Sequence, residues 1–280
     1  TATPEFARFF SGDASAAASA PRWWATPYAV SVFGTPILAP DPFGRGNAYG
    51  DGRALSLGEV VSPAGERWEL QLKGCGTTPF SRGGDGRAVL RSSVREFVVS
   101  EAMAALGVPT SRALSLIQSD SATIPRAWYA DDDIGRPDHP PDTMIRERLA
   151  ITCRAAPSFI RVGHFELHSR RAAAAQAAKD DGADADAALG GGKDGAIGAQ
   201  AAASSWLRAL FDHAARREFA SEVDPSAPIG AQAASMLRAF ARRQAELTAH
   251  WIRVGYVQGN MNSDNCLLSG RTLDYGPFGF

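Results

Sequence analysis

Two strand-like runs, the second ending in a lysine that leads into a glycine-rich loop, constrain the fold of this chain more than any other feature. The runs cover 54–61 and 67–73, and residues 62–65 between them have the composition of a hairpin turn. Side chains alternate between the two faces of a strand, so the apolar residues of the second run face one way and Lys73 faces the other. The pattern predicts a lysine held at a strand end, away from the apolar layer.

The segments that follow alternate between helix and strand patterns. A glycine-rich loop spans 74–87, and apolar residues at helical spacing over 93–106 predict a helix closed by Gly107. A strand over 113–117, a polar loop and a second strand-like run ending at Arg154 come next. These patterns predict an antiparallel sheet accompanied by one well-marked helix.

The last third of the chain predicts a long amphipathic helix, a polar loop and a hairpin. Apolar residues at helical spacing run from Met236 to Trp251, the polar loop spans 258–265, and strands at 266–268 and 272–274 flank a tight turn. The whole succession follows the order of elements in protein kinases as far as their metal-binding aspartate. We therefore predict an α+β fold, protein-kinase-like and two-lobed, with an N-lobe sheet plus helix and a partial, C-terminally truncated C-lobe.

Composition divides the chain into four segments. We predict an N-terminal arm at 1–48, a kinase-like N-lobe with nucleotide-binding elements at 49–170, an Ala/Gly/Asp-rich low-complexity insertion at 171–204, and a partial C-lobe at 205–280. The insertion has too few apolar residues to bury and is expected to lack order. An apolar C-terminal end and a first residue other than Met lead us to expect a fragment.

Charge and cysteine content exclude several classes of protein. The 29 basic and 30 acidic side chains give a net charge of -1, so nothing favours a nucleic-acid partner. No apolar run is long enough to span a bilayer, so no membrane partner is expected. The three cysteines lie far apart, without the spacing of a disulfide framework or a thiolate zinc site, and fit a reducing compartment.

Lys73 and Glu96 are candidates for an ion pair at a phosphate site. In kinases, a glutamate on the helix that follows the strand lysine holds that lysine over the α- and β-phosphates. The segment from Ser93 to Glu96 also fits a capping box, in which Glu96 would only close the start of the helix. Both interpretations are open at this point.

Asn265 and Asp274 have the spacing of the two magnesium ligands of a kinase. In that register Asn260 occupies the position of the aspartate base, and an amide cannot accept the proton. Asp264 is the other carboxylate of the loop and the natural candidate to accept a proton from a substrate hydroxyl. The alternative for Asn262, Asp264 and Asn265 is an ordinary polar turn.

Two arginines and two glycine-rich turns are weaker candidates. Arg154 and Arg161 could bind phosphate oxygens with their guanidinium groups, or could be ordinary surface cations. The segments 50–53 and 85–87 could bring backbone amides and an arginine close to a nucleotide, although Gly-Asp-Gly is also a common turn.

Taken together, these segments resemble the selenoprotein O family of pseudokinase-fold protein adenylyltransferases. The resemblance is carried by the sequences at 50–59, 68–82, 85–96, 100–114, 156–166, 261–265 and 273–280. It implies a kinase-like fold that binds ATP in a flipped orientation, buries the γ-phosphate and transfers AMP to Ser, Thr or Tyr hydroxyls of proteins.

The resemblance also implies roles for individual residues. Glu96 would pair with Lys73, Asp264 would be the proton acceptor, and Asn265 and Asp274 would hold Mg²⁺ or Mn²⁺. The residues implied in nucleotide binding are Gly50, Gly52, Arg53, Lys73, Asp85, Gly86, Arg154, Arg161 and Asp274.

Two alternative functions are open. A catalytically inactive, nucleotide-binding pseudokinase could act as a scaffold, and a conventional protein kinase is disfavoured by Asn260. The resemblance predicts protein substrates, and a mitochondrial location for a eukaryotic source or a cytoplasmic one for a bacterial source.

Overall fold

The fold is a mixed α/β arrangement in which helices accompany an antiparallel sheet. The computed structural model describes residues 3–13, 24–26, 29, 51–78, 81, 84–129, 142–180 and 199–276. In chain order, the elements are α1 (Pro4–Phe10), β1 (Trp24–Ala25), β2 (Ala54–Val61), β3 (Arg67–Lys73), α2 (Leu90–Ala105), β4 (Arg112–Ala127), β5 (Met144–Ala156), α3 (Val162–Asp180), α4 (Ala199–Glu218), α5 (Ile229–Arg253) and a 3-10 turn (Ser263–Asn265). Within these ranges, no helix is long and apolar enough to cross a membrane.

The sheet is built around the predicted hairpin. Its strands lie in the order β1-β2-β3-β5-β4, and every neighbouring pair is antiparallel. The β2–β3 turn is closed by a hydrogen bond of 2.8 Å from the Gly65 amide to the Ser62 carbonyl, with Gly65 at φ +83°. Lys73 lies at the end of β3, where it is paired with Ala54 on one side and Thr152 on the other. The predicted strands and turn are confirmed.

Strands β4 and β5 are longer than the sequence predicts. The prediction of a polar loop directly after Ile117 is wrong, because β4 continues to Ala127 and pairs with β5 as far as Met144. No residue of its outer half, from 120 to 127, is buried, so this half lacks the buried face that a strand pattern in the sequence depends on. Pro125 is tolerated there because β4 is the last strand in the sheet order.

Helix α2 begins earlier than predicted, and this decides between the two roles of Glu96. Its N-cap residue is Val89, and no side chain caps it. Ser93 therefore lies one turn inside the helix, and the capping-box interpretation is wrong. The predicted end is confirmed, since Gly107 follows the helix at φ +75°.

The Ala-rich segment is helical where the structure describes it. Helix α3 runs to Asp180 and α4 starts at Ala199, so the expectation of an unordered 171–204 is wrong at both ends. Alanine is the strongest helix former, and a helix satisfies its own backbone without burying every residue. The predictions for 181–198, and most of the predicted arm at 1–48, lie outside the described residues.

Helix α5 anchors the C-terminal segment of the described chain. Its buried residues Leu247 and Trp251 pack in a core with Met103 and Tyr275. The Trp251 indole donates a hydrogen bond of 2.9 Å to the Thr272 hydroxyl. The predicted strands at 266–268 and 272–274 are reduced to a single antiparallel bridge between Cys266 and Thr272. Asp274 follows this bridge directly.

Candidate functional site

One polar cavity of about 640 Å³ brings together most of the predicted site residues. Its walls are the turn before β2, the end of β3, the glycine-rich loop, α2 and the segment 260–276. The predicted residues that line it are Gly52, Arg53, Lys73, Asp85, Gly86, Glu96, Arg161, Asp264, Asn265 and Asp274. Arg154 lies directly behind this lining, and Gly50 is outside the described residues.

Lys73 joins two carboxylates that come from distant parts of the chain. Its ammonium group lies 2.7 Å from Glu96 Oε1 and 2.8 Å from Asp274 Oδ2. The lysine and glutamate side chains are only 6% and 15% exposed, so little water screens their attraction. The predicted ion pair between Lys73 and Glu96 is present, and the structure adds Asp274 to it.

Electrostatics keep Asp274 ionised despite its surroundings. Burial alone would raise the pKa of this carboxyl, and the nearby Asp51 acts in the same direction. Lys73 and Arg154 outweigh both effects and hold the pKa of Asp274 below its usual value. The carboxylate is therefore available as an anionic metal ligand at neutral pH.

A second charged cluster joins Asp51, Arg154 and Arg161. Both guanidinium groups place their Nη2 atom on the same carboxylate oxygen, Oδ2 of Asp51. The arginine side chains are 5% and 3% exposed, so the alternative of two surface cations is excluded. Burial acts to raise the pKa of Asp51, but Arg154, Arg161 and Lys73 hold it well below its usual range.

The neighbouring strands and helices fix both arginines. Arg154 lies opposite Gln71 in the β3–β5 pairing and donates to its amide oxygen from Nε (3.1 Å) and Nη2 (2.8 Å). Arg161 precedes α3, and its backbone amide donates to Nδ1 of His164 at 3.1 Å. Burial lowers the pKa of His164 to about 3, so this ring stays neutral and keeps an acceptor nitrogen. Buried, oriented guanidinium groups of this kind are suited to binding phosphate oxygens.

The glycine-rich loop folds back on itself at the mouth of the cavity. Asp85 accepts a hydrogen bond of 2.8 Å from the Arg87 amide and lies 2.6 Å from Arg126 Nη2. Burial acts to raise the pKa of Asp85, but the hydrogen bonds from the Arg87 amide and Arg126, together with the two positive charges, lower it overall. Gly86 has φ +65°, and a Cβ atom added there would lie 1.9 Å from the Gly76 carbonyl oxygen. Only glycine fits this crossing of the loop.

We expect Gly86→Ala to destabilise the protein more than Gly65→Ala. Both glycines have positive φ, but a Cβ at Gly65 would meet nothing within 4 Å. The strained backbone is thus common to both variants, and the overlap at Gly86 adds about 1–3 kcal/mol. Thermal unfolding of the two full-length variants measures the difference in stability. Equal unfolding midpoints would contradict the close approach of Gly86 to the Gly76 carbonyl.

The polar loop at 258–265 is a turn held by its asparagines. The side-chain oxygen of Asn262 accepts a hydrogen bond of 3.1 Å from the backbone amide of Asn265. The side-chain amide of Asn265 donates a hydrogen bond of 3.0 Å to the backbone carbonyl of Asn260. Arg161 Nη1 donates to the Asp264 carbonyl oxygen at 3.3 Å, which ties the loop to the arginine cluster. Asn262 therefore has the turn role, and Asn262, Asp264 and Asn265 all line the cavity.

The donor set at the cavity fits a magnesium-type cation. Asp274 contributes a carboxylate and Asn265 an amide oxygen, the hard oxygen ligands that Mg²⁺ prefers. Among the described residues, no group of three or more His, Cys, Asp or Glu side chains could hold a metal ion.

Sequence reasoning missed three side chains of the site: Asp51, Gln71 and Arg126. Gln71 shares the polar face of β3 with Lys73, and this alternation was a usable signal. Arg126 lies in the part of β4 that the sequence predicts as a loop. Nothing in the sequence near Asp51 indicates its partners, which lie 103 and 110 residues away.

Comparisons with known proteins show the family to which the sequence is similar. A family model described as "Protein adenylyltransferase SelO" matches residues 42–280. A "Protein nucleotidyltransferase YdiU" from Xanthomonas campestris pv. campestris is 41% identical over the whole of this chain and 43% of its own length. Proteins of the same name from Xanthomonas axonopodis pv. citri and Rhodopirellula baltica are 42% and 40% identical, over 100% and 93% of this chain and 43% of each relative. The chain thus spans less than half the length of these relatives.

Proposed function

Because the chain belongs to the SelO family of protein adenylyltransferases, we propose that it carries the nucleotide site of an enzyme that transfers AMP from ATP to Ser, Thr or Tyr hydroxyls of other proteins. The convergence of Lys73, Arg154 and Arg161 beside Asp264 and Asp274 supports this proposal best. Three buried cations suit a polyphosphate, and the carboxylates beside them suit a metal ion and a proton.

The proposed fold is protein-kinase-like and two-lobed. Strands β2 to β5 and α2 fall within the proposed N-lobe at 49–170, and α5 and the polar loop fall within the proposed partial C-lobe at 205–280. Strand β1 lies in the segment 1–48 and pairs with β2. The segment 1–48 is proposed as an arm. The segment 171–204 is proposed as an insertion, whose first residues form the end of α3 and whose last residues form the start of α4. The Lys73–Glu96 pair supports this assignment because it joins β3 to α2, as in kinases.

The proposal includes a flipped orientation of ATP, which membership of the family implies. In this orientation the terminal phosphate meets Arg154 and Arg161, and the α-phosphorus faces the acceptor hydroxyl near Asp264. The hydroxyl oxygen forms a bond to the α-phosphorus, the bond from that phosphorus to the bridging oxygen breaks, and pyrophosphate leaves with the bonding electrons. Asp264 takes the hydroxyl proton. The remaining predicted contacts, from Gly50, Gly52, Arg53, Asp85 and Gly86, are proposed to orient the nucleotide.

Asn265 and Asp274 are proposed to hold Mg²⁺ or Mn²⁺ beside the phosphates. When bound, the ion would offset negative charge on the phosphate oxygens. Lys73 then has two roles in the proposal. It contacts Asp274 directly, and Glu96 holds its ammonium group in place to bind the phosphates.

Two other functions predict different products from the same site. A conventional kinase would expose the γ-phosphorus to the acceptor, and Asn260 in the position of the kinase base disfavours it. A scaffold would bind ATP without turnover. Both remain outcomes of one experiment.

Incubation of the full-length protein with an acceptor protein and either α- or γ-labelled ATP separates these functions. Transfer of the α-label to protein, with a mass increase of AMP in intact-protein mass spectrometry, is the expected result. Transfer of the γ-label would show a kinase, and no transfer despite measurable ATP binding would show a scaffold.

A further inference from the structure

Asp51 occupies the point on which the two buried guanidinium groups converge. Arg154 and Arg161 contact one and the same carboxylate oxygen of Asp51. The side chains of both cations are almost wholly buried; Asp51 and Arg161 line the cavity, and Arg154 lies behind them. An anionic oxygen held by two guanidinium groups is also the contact that a phosphate oxygen would make at this place.

The charges around Asp51 are balanced without a ligand. Lys73, Arg154 and Arg161 face Glu96, Asp51 and Asp274, so three cations meet three anions. A terminal phosphate added to this cluster would place its own negative charge beside the carboxylate of Asp51. If the phosphate replaces the Asp51 carboxylate, both guanidinium groups stay paired with an anion. If the phosphate binds while the carboxylate stays, two anions are left in contact.

The side chain of Asp51 can leave while its backbone stays in place. The adjacent Gly52 carbonyl accepts hydrogen bonds from the hydroxyls of Thr78 (2.7 Å) and Ser81 (2.6 Å), and the Gly74 amide donates to Arg53 at 2.9 Å. These bonds fix the turn. The cavity beside Asp51 gives the carboxylate room to rotate away from the arginines.

We propose that Asp51 holds the place of the terminal phosphate in the nucleotide-free protein and exchanges with that phosphate when ATP binds. This inference rests on the proposed function, because it takes the terminal phosphate to be the group that meets Arg154 and Arg161. Asp51 then determines nucleotide specificity. Displacement of Asp51 from the arginines lowers the affinity for ATP. AMP has no terminal phosphate, so it does not displace the carboxylate.

The test compares Asp51→Asn with the wild type in equilibrium binding of magnesium ATP and of AMP to the full-length protein. Asparagine keeps the shape but not the charge, so ATP is expected to bind at least about tenfold more tightly and AMP within about twofold of the wild type. Asp120→Asn is the matched control, because it removes the same charge from an exposed carboxylate of β4 that does not line the cavity, and should leave ATP binding within about twofold of the wild type. Weaker or unchanged ATP binding in Asp51→Asn, or an equal gain in Asp120→Asn, would overturn the proposal.

A structure of the wild-type protein with ATP gives an answer even if Asp51→Asn does not fold. The expected result is a γ-phosphate oxygen on the Nη2 atoms of Arg154 and Arg161, with Asp51 turned into the cavity. Asp51 still bound to both arginines in that complex would refute the exchange. Neither measurement needs turnover, so a failure of AMP transfer in the labelling experiment would count against the proposed function and leave the exchange supported or refuted by binding.

Discussion

Replacement of Asp264 by asparagine is expected to lower AMP transfer by at least about 100-fold, the contribution typical of a general base. ATP affinity should stay within about twofold of the wild type. The loop keeps its shape because Arg161 contacts the backbone carbonyl of Asp264, and Asn262 closes the turn through the Asn265 amide. The substitution therefore removes a proton acceptor at the cavity and keeps these two backbone contacts of the loop.

Two measurements separate this role from a general loss of structure. Transfer of α-labelled AMP gives the rate, and equilibrium binding of ATP gives the affinity of the same preparation. Asp120→Asn is the matched control, because Asp120 is an exposed carboxylate of β4 and does not line the cavity. Transfer at the wild-type rate in Asp264→Asn would reject Asp264 as the proton acceptor, and a large loss of ATP affinity would assign it to binding instead.

The sequence predicts those parts of the fold that depend on short-range patterns. Alternation locates the β2–β3 hairpin, and helical spacing with Gly107 locates the end of α2, because each signal lies within a few residues of the structure it determines. The order of lysine, glutamate and aspartate along the chain leaves the Lys73–Glu96 pair open beside a capping box, and only the resemblance implies that the two residues meet. The structure places them 2.7 Å apart.

The orientation of α2 could not be predicted from its apolar residues. Val94 and Val98 are 42% and 55% exposed, although helical spacing suggests a buried stripe. At about 100° per residue, both lie opposite Glu96 on the helix. Ser93, Ser100 and Met103 lie close to the Glu96 face and are the buried residues. The helix thus turns its functional face inward, and polarity along the sequence does not reveal this.

The charged clusters show the same limit of sequence reasoning at longer range. Asp51 has one partner 103 residues away and another 110 residues away, and Asp274 lies 201 residues from Lys73. Such pairs depend on the pairing of β3 with β5 and on the anchoring of Thr272 by Trp251. A single sequence indicates the residue types, and only the assembled fold shows which charges neutralise each other.

Replacement of Lys73 by methionine is expected to abolish ATP binding and to destabilise the protein by about 3 kcal/mol, because removal of one partner leaves buried charges unpaired. Glu96 and Asp274 both depend on this lysine, at 2.7 and 2.8 Å. Arg67→Met is the matched control. Arg67 lies on the same strand and pairs with Glu59, and the two side chains are 60% and 40% exposed, so its loss should cost less than about 1 kcal/mol. Thermal unfolding and equilibrium ATP binding of the full-length variants check both expectations.

The destabilisation by Lys73→Met should depend on pH. In the wild type, Lys73 helps to hold the pKa of Asp274 below its usual value, so this contribution to stability is present above about pH 4 and is lost as pH falls further. The difference between wild type and variant should therefore be larger at pH 7 than below pH 4. A difference that stays constant across this range would show that lost packing, and not lost charge pairing, causes the destabilisation.

The double variant Lys73→Met with Glu96→Gln separates stability from binding. Among the described residues, Lys73 is the only cation within 4.0 Å of the Glu96 carboxylate, so neutralising Glu96 removes the unpaired charge that the first substitution creates. The double variant should regain about 1–2 kcal/mol relative to Lys73→Met, as expected for coupled neighbours. It should still fail to bind ATP, because no cation has been restored beside the phosphates. If the double variant recovered ATP binding together with stability, the role of Lys73 would be structural only. Lys73 would then not bind phosphate as the proposed mechanism requires.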